Sequence, residues 1–431
     1  MTIAGALAIS GCNIGAKYTV GGTLTGLAGQ GLVLEDNSGN DLSVDSNGGF
    51  AFTDGLRNGD AYSVTVKTQP SDPAQTCTVH NGSGTISKAD VTNVIVSCTQ
   101  GGRFAYVANQ LSNNLSAYTI DADGALTAIA GSPFAAAGTA PASLTVDPNG
   151  RYLYVVDSDS NDVSVYTIDN STGALAIAGT PSATGSGPYA VAVDPRDAYL
   201  YVTNLASNNV SAYAIDSSTG LLTELAGSPF GVGTQPTSLK IDANGNYLYV
   251  ANFSGSVAVF AIDPATGSLS AIPGSPFGAG AGAQSLVIDP TGTFAYVANE
   301  TAATISEYSI NASTGALTAV SGSPLATVTS PESLAVDPAG RYLYAANVTA
   351  QNRIVAYSIT PSSGVLAATG APVGAGTLPI SLAIDPAGQF AYAANDNSGD
   401  ISAYAVDSTT GTLSFIGNFA AGNKPRSIAI D

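Results

Sequence analysis

Between residues 104 and 395 one short apolar pattern recurs seven times: FAYVAN at 104–109, YLYVVD at 152–157, YLYVTN at 199–204, YLYVAN at 247–252, FAYVAN at 294–299, YLYAAN at 342–347 and FAYAAN at 390–395. The copies stand 47 or 48 residues apart, and internal repetition at such a period decides the fold before any local reading does. Each unit divides into four strand-like pieces. YLYVVD alternates like a strand, VSVYTID (163–169) follows a polar loop, ALAIAG (174–179) follows NSTG, and YAVAVDP (189–195) ends in a tight turn before the next copy. Aromatic residues recur in register on two of the pieces, from Tyr106 to Tyr392 on one and from Tyr118 to Tyr404 on the next, which points to packing between units.

Four strands per unit describe a propeller blade, and seven units close into a ring. The expected fold is therefore all-β, a seven-bladed β-propeller over 100–431. The first copy lacks the SLxVDP strand that precedes the others, and the chain stops at RSIAID (426–431), an orphaned copy of that strand. The C-terminal strand is thus predicted to complete blade 1 and to remove the edge that an open array would expose.

Residues 18–99 have a different texture. Short alternating runs such as YTVGGTL, GLVLEDN, GFAFTD and YSVTVKTQP, separated by Gly, Asn and Asp, predict a small β-sandwich that resembles immunoglobulin-like modules of bacterial surface proteins. Cys77 and Cys98 lie in two of its strand-like runs with a hairpin-like segment between them. A disulfide there implies an oxidising compartment and adds about 3 kcal/mol by chain entropy. His80, beside Cys77, reads as a solvent-facing hairpin residue.

The third cysteine, Cys12, ends the run Ile9-Ser10-Gly11-Cys12, which resembles the lipobox of bacterial lipoproteins. Residues 1–12 are accordingly expected to be a signal segment and 13–17 a linker, with lipidation of Cys12 as the membrane anchor. The resemblance implies an exported protein of the outer membrane or cell surface, or otherwise a periplasmic or secreted one. The apolar run is short and no Lys or Arg precedes it, which a start codon placed too far downstream would explain.

Composition narrows the function. Only 10% of residues are charged, and the formal net charge of −19 repels a phosphate backbone, which excludes electrostatically driven nucleic-acid binding. Neither a cofactor nor a metal is expected; DADG and DSDSND, the latter with Asp157, Asp159 and Asp162, lack the spacing of an EF-hand loop.

The repeated string YLYVAN…VSVYTID…TGAL…GSPF…PxSLAVDPxGRYLYV resembles the seven-bladed lactonase-like propellers, the 6-phosphogluconolactonase type among them, and equally the surface propellers named for a YVTN repeat, present here at 201–204. The resemblance spans all seven repeats. It implies either a lactone hydrolase or a surface module, since fold does not fix function.

The DPxG and DNSTG turns are near-constant and read as structural, like the Asn or Asp that closes each YVAN run. Recognition is expected where the copies differ, in the GSPF…PxS stretch leading to each central strand and opening at the mouth of the axial channel. In ring order the variable residue there is Arg426, Ala142, Tyr189, Thr237, Gln284, Glu332 and Ile380. Glu332 and Arg426, two blades apart, are the candidate general base and oxyanion stabiliser of a lactone hydrolase. Tyr189, Thr237, Gln284, Lys424 and Lys240 are candidate ligand residues, Lys240 because SLKID puts a lysine where other central strands have Thr, Ala or Val. Lactonase-like propellers often carry histidine near the start of the central strands; here the PxS segments end in Ser143, Ser238, Ser285, Ser333, Ser381 and Ser427, and the propeller has no histidine. That absence removes the side chain best suited to acid–base work at neutral pH. It favours a binding or scaffold module for a surface protein or glycan, with a lactonase-like hydrolase acting on a small lactone as the alternative and a self-associating surface-layer component as a third reading.

Overall fold

Each repeat forms its own antiparallel sheet in the computed structural model, which describes residues 16–27, 30–37, 39–70, 75–100, 104–327, 329–348 and 352–431. Among these residues every regular element is a strand. The chain divides into two compact units, 1–101 and 102–431.

In the first unit, two four-stranded sheets share one core that includes Val20, Leu24, Leu34, Phe52, Val64 and Val96. Cys77 and Cys98 face each other across the antiparallel pair Gln75–His80 and Val91–Gln100 and are joined by a disulfide. His80 is exposed on the first of those strands. Cys12 and its lipobox lie outside the described residues.

The second unit is the seven-bladed ring. The innermost strands, such as Pro141–Val146 and Pro188–Val193, pack side by side in one closed circuit. Pro425–Ile430 pairs with Phe104–Asn109, from Ala105 opposite Ile430 to Asn109 opposite Pro425, so the last strand completes the first blade. The second strands do not alternate between buried and exposed. All six residues of Phe104–Asn109, Tyr152–Asp157 and Phe294–Asn299 are buried, because a neighbouring blade covers each face, as happens in sheets covered on both sides.

Polar contacts join the blades. The second-strand tyrosines donate their hydroxyls to glycine carbonyls in the following blade: Tyr106 to Gly173, Tyr154 to Gly220, Tyr201 to Gly267, Tyr249 to Gly315, Tyr296 to Gly364 and Tyr392 to Gly124, at 2.8–3.1 Å. Gly173 must be glycine: its φ is +72°, and a Cβ would sit 2.4 Å from the Phe104 ring. A second set sits nearer the axis. Ser427 accepts the backbone N–H of Leu144, Ser238 that of Leu286, Ser285 that of Leu334, Ser333 that of Leu382 and Ser381 that of Ile428, at 3.1–3.3 Å. Each hydroxyl meets an N–H on the inner edge of a strand that has no partner there, a bond worth about 1 kcal/mol. The PxS serines are therefore joints between blades.

The loops differ from expectation in one respect. Phe134–Ala135, Phe230–Gly231, Phe277–Gly278 and Leu325–Ala326 pair with the third strand of their blades, so the GSPF segments form the outer rim and only the PxS residues reach the axis. The closing Asn residues are buried and structural; Asn299 accepts the Gly280 N–H, and Asn109 that of Gly422. Blade 2 has Asp157 instead, fully buried, with Ser164 donating to its Oδ2 at 2.6 Å. Burial, with Asp162 nearby, raises its pKa to about 7.

Two outcomes follow from the ring. Deleting residues 426–431 is expected to lower the melting temperature of the whole propeller by about 10 °C or more, as one transition; calorimetry showing an unchanged propeller transition would refute closure by this strand. Asp157 binds its proton more tightly when folded, so its contribution to stability falls as pH rises from the ordinary carboxylate range through about 7. Asp157→Asn, which restores the residue of the other blades, should flatten the loss of thermal stability between pH 5 and 8; an identical pH dependence in both proteins would contradict the assignment.

Candidate active site

At one mouth of the ring, the residue following the first position of each innermost strand points toward the axis. These are the seven variable positions of the PxS segments, and all seven line one cavity of about 120 Å³, together with serines of the blade joints. A bulge at each strand start leaves that residue out of the ladder, as between Pro331 and Ser333, which frees its side chain for the mouth.

Three of these side chains form a connected group. The Gln284 amide nitrogen donates to the Tyr189 hydroxyl oxygen at 2.6 Å and to Glu332 Oε1 at 2.9 Å. Because Tyr189 accepts that bond, its own hydrogen is left for the cavity. Burial is the main cause that raises the Glu332 pKa to about 7; Glu300 and Asp396 push it the same way, against the Gln284 hydrogen bond and the Arg426 charge. Burial likewise raises the Tyr189 pKa, with Arg426 opposing. The group therefore holds a carboxyl poised between its two states near neutrality and a phenol that stays protonated.

Arg426 lines the same cavity but is not paired with Glu332. Its ion-pair partner is Asp396, Nη1 to Oδ1 at 3.5 Å, and the carboxylate of Asp396 is almost fully buried. Lys424, expected beside the arginine in the site, stands at the rim, its Nζ donating to Asp396 Oδ2 at 2.6 Å and to Asn397 Oδ1 at 2.9 Å. Thr237 is buried, and its hydroxyl is turned to the next blade, donating to the Ala283 carbonyl at 2.7 Å. Lys240 does not belong to this site; it lines a separate cavity farther along the axis.

Sequence reasoning missed Asp396 and Glu300. Both occupy the position just after the closing Asn of the second strand, where the blades carry Gln110, Ser158, Leu205, Phe253, Glu300, Val348 and Asp396. That column varies as much as the PxS column, and this was the available signal. Among the described residues, no group of three or more His, Cys, Asp or Glu is arranged to hold a metal ion.

Fold and mouth together define a closed seven-bladed propeller with a cavity on its axis lined by Tyr189, Gln284, Glu332 and Arg426. The family model described as lactonase, 7-bladed beta-propeller, matches residues 65–187, 95–235, 180–277 and 257–430, and the chain belongs to that family. Among solved structures it is similar to a candidate 6-phosphogluconolactonase from Bacteroides uniformis, at 21% identity and a TM-score of 0.69, over 77% of this chain and 100% of that one. It is also similar to the periplasmic gluconolactonase of Pseudomonas aeruginosa, at 20% identity and a TM-score of 0.66, over 76% of this chain and 98% of that one. No protein of curated function matches the sequence.

The electrostatics of the cavity can be tested directly. Glu300→Gln removes a like charge and should move the Glu332 titration below about 7, toward the ordinary carboxylate range. Carbon-13 NMR of the Glu332 carboxyl would read the shift; an unmoved midpoint would remove Glu300 from its causes and leave burial and Asp396.

Proposed function

We propose that the propeller hydrolyses a small lactone at this mouth, with Glu332 as general base. The carrying observation is the carboxyl poised near neutrality and hydrogen-bonded by Gln284 beside Tyr189, in a cavity that also holds Arg426. A base of this kind supplies what the missing histidine would have supplied, so the absence of histidine no longer favours a pure binding or scaffold module. Membership of the lactonase propeller family supports the same reading.

Glu332 takes a proton from a water that attacks the lactone carbonyl carbon. The carbonyl electrons move to oxygen, and the oxyanion is met by the Tyr189 hydroxyl and the Arg426 guanidinium. Collapse breaks the bond to the ring oxygen, which receives the proton from Glu332. One lactone and one water yield one hydroxy acid, and Glu332 is regenerated.

Charge narrows the substrate. Glu300, Glu332 and Asp396 surround the mouth, and both cations, Arg426 and Lys424, are drawn to Asp396. An uncharged sugar lactone suits this balance better than a phosphorylated one. The disulfide and the lipobox support an exported setting, with Cys12 as the anchor and the sandwich as its spacer.

The full chain is expected to hydrolyse 1,5-gluconolactone faster than buffer and faster than it hydrolyses 6-phosphogluconolactone. Because the base must be ionised, kcat/KM should rise as pH passes through about 7 and then level off. Glu332→Gln should lower kcat/KM by about 100-fold or more, with Tyr189→Phe reducing kcat by a smaller factor. Absence of turnover by a folded chain, or full turnover by Glu332→Gln, would overturn the assignment.

A further inference from the structure

Each innermost strand is the edge of its own sheet; serine hydroxyls accept the edge N–H groups of Leu144, Leu286, Leu334, Leu382 and Ile428 nearest the mouth, and farther along the axis the alternate backbone groups have no strand partner. Beyond the mouth these edges enclose a second cavity of about 420 Å³, which shares no lining residue with the first. Its side chains are small or aliphatic, with one exception. Lys240 is the only charged residue of the lining, and no Asp or Glu contributes to it. At the equivalent position the other blades carry Ala429, Thr145, Ala192, Val287, Ala335 and Ala383.

Lys240 is an exposed side chain on the channel wall that opens into the cavity. Enclosure alone lowers its pKa, with no carboxylate acting against it. The acidic groups of the adjoining turns are committed to their own loops: Asp242, two residues along, accepts the backbone N–H groups of Asn246 and Tyr247, and Asp289 those of Thr293 and Phe294. Among the described residues Lys240 has no hydrogen-bond or ion-pair partner.

We infer that this lower cavity binds a small polyhydroxylated organic anion, with its carboxylate on the Lys240 ammonium and its hydroxyls on the free strand edges. No carboxylate of the protein reaches the Lys240 ammonium across this lining, so a ligand carboxylate is the group that can pair with it. The backbone groups of the wall decide the rest of the ligand. A hydrocarbon tail would leave them unsatisfied, and a bare inorganic ion would occupy a small part of a cavity this size; a chain of hydroxyls satisfies both donors and acceptors. The ligand class coincides with the product class of a lactone hydrolase, yet the site stands on the lysine and the cavity, independently of turnover at the mouth.

Isothermal titration of gluconate into the full chain tests this site. Saturable binding at one site is expected, weakened about tenfold or more in Lys240→Met and in Lys240→Thr. Thr145 occupies the equivalent position in blade 2, so the threonine variant guards against a packing defect. Binding should be unchanged in Glu332→Gln, and both lysine variants should keep the melting temperature and the lactone turnover of the parent. The inference is overturned by absence of gluconate binding, by undiminished binding in the lysine variants, by its loss in Glu332→Gln, or by tighter binding of inorganic phosphate than of gluconate.

Discussion

The pairing of Pro425–Ile430 with Phe104–Asn109 is the contact on which the rest of the ring depends. Six blades are continuous in sequence; the first is assembled from both ends of the repeat region. Until it forms, blades 1 and 7 each leave a face uncovered, and the largely buried second strands there lose packing on that face. Closure also brings Arg426 to the axis, opposite residues contributed by distant blades. Thus one strand pairing determines both the stability of the unit and the composition of its mouth.

The same geometry explains why the polar side chains left free for a ligand gather on the axis. Most polar side chains are consumed in joints: tyrosine hydroxyls on glycine carbonyls and asparagine amides on loop backbones away from the axis, and serine hydroxyls on edge N–H groups beside it. These bonds replace the partners that a twisted sheet edge lacks, and they leave little free for a ligand. On the axis the strand-start bulge and the channel wall release single side chains. At the mouth, burial and like charges hold Glu332 near neutrality. Farther along, the same enclosure acts on a cation, Lys240, and lowers its pKa instead. Desolvation disfavours the charged form of both groups, in opposite directions on the pH scale.

Much of the candidate site was legible as a column of differences in an otherwise repetitive chain. Glu332, Gln284 and Tyr189 stood out because each occupies a position where its repeats disagree, and the ring brings that column to one point. The partners were not legible. Nothing in the sequence showed that Arg426 would turn to Asp396 or that Gln284 would bridge Tyr189 and Glu332, because those choices depend on side-chain reach across the axis. Thr237 shows the opposite case: it varies like its neighbours, yet its hydroxyl is spent on the Ala283 carbonyl.

By itself the sequence determined the number of blades, the strand that closes them, the cystine of the sandwich and the column that meets at the mouth, because all of these follow from periodicity and from local strand and turn chemistry. Only the tertiary structure decided which residues of that column interact, that Asp396 and Glu300 join them from the loops after the second strands of two blades, and that Lys240 belongs to a separate cavity. Those outcomes arise from distances between side chains roughly one or several repeats apart in the chain, and from the burial that closure imposes. Hydrophobic periodicity carries no record of either.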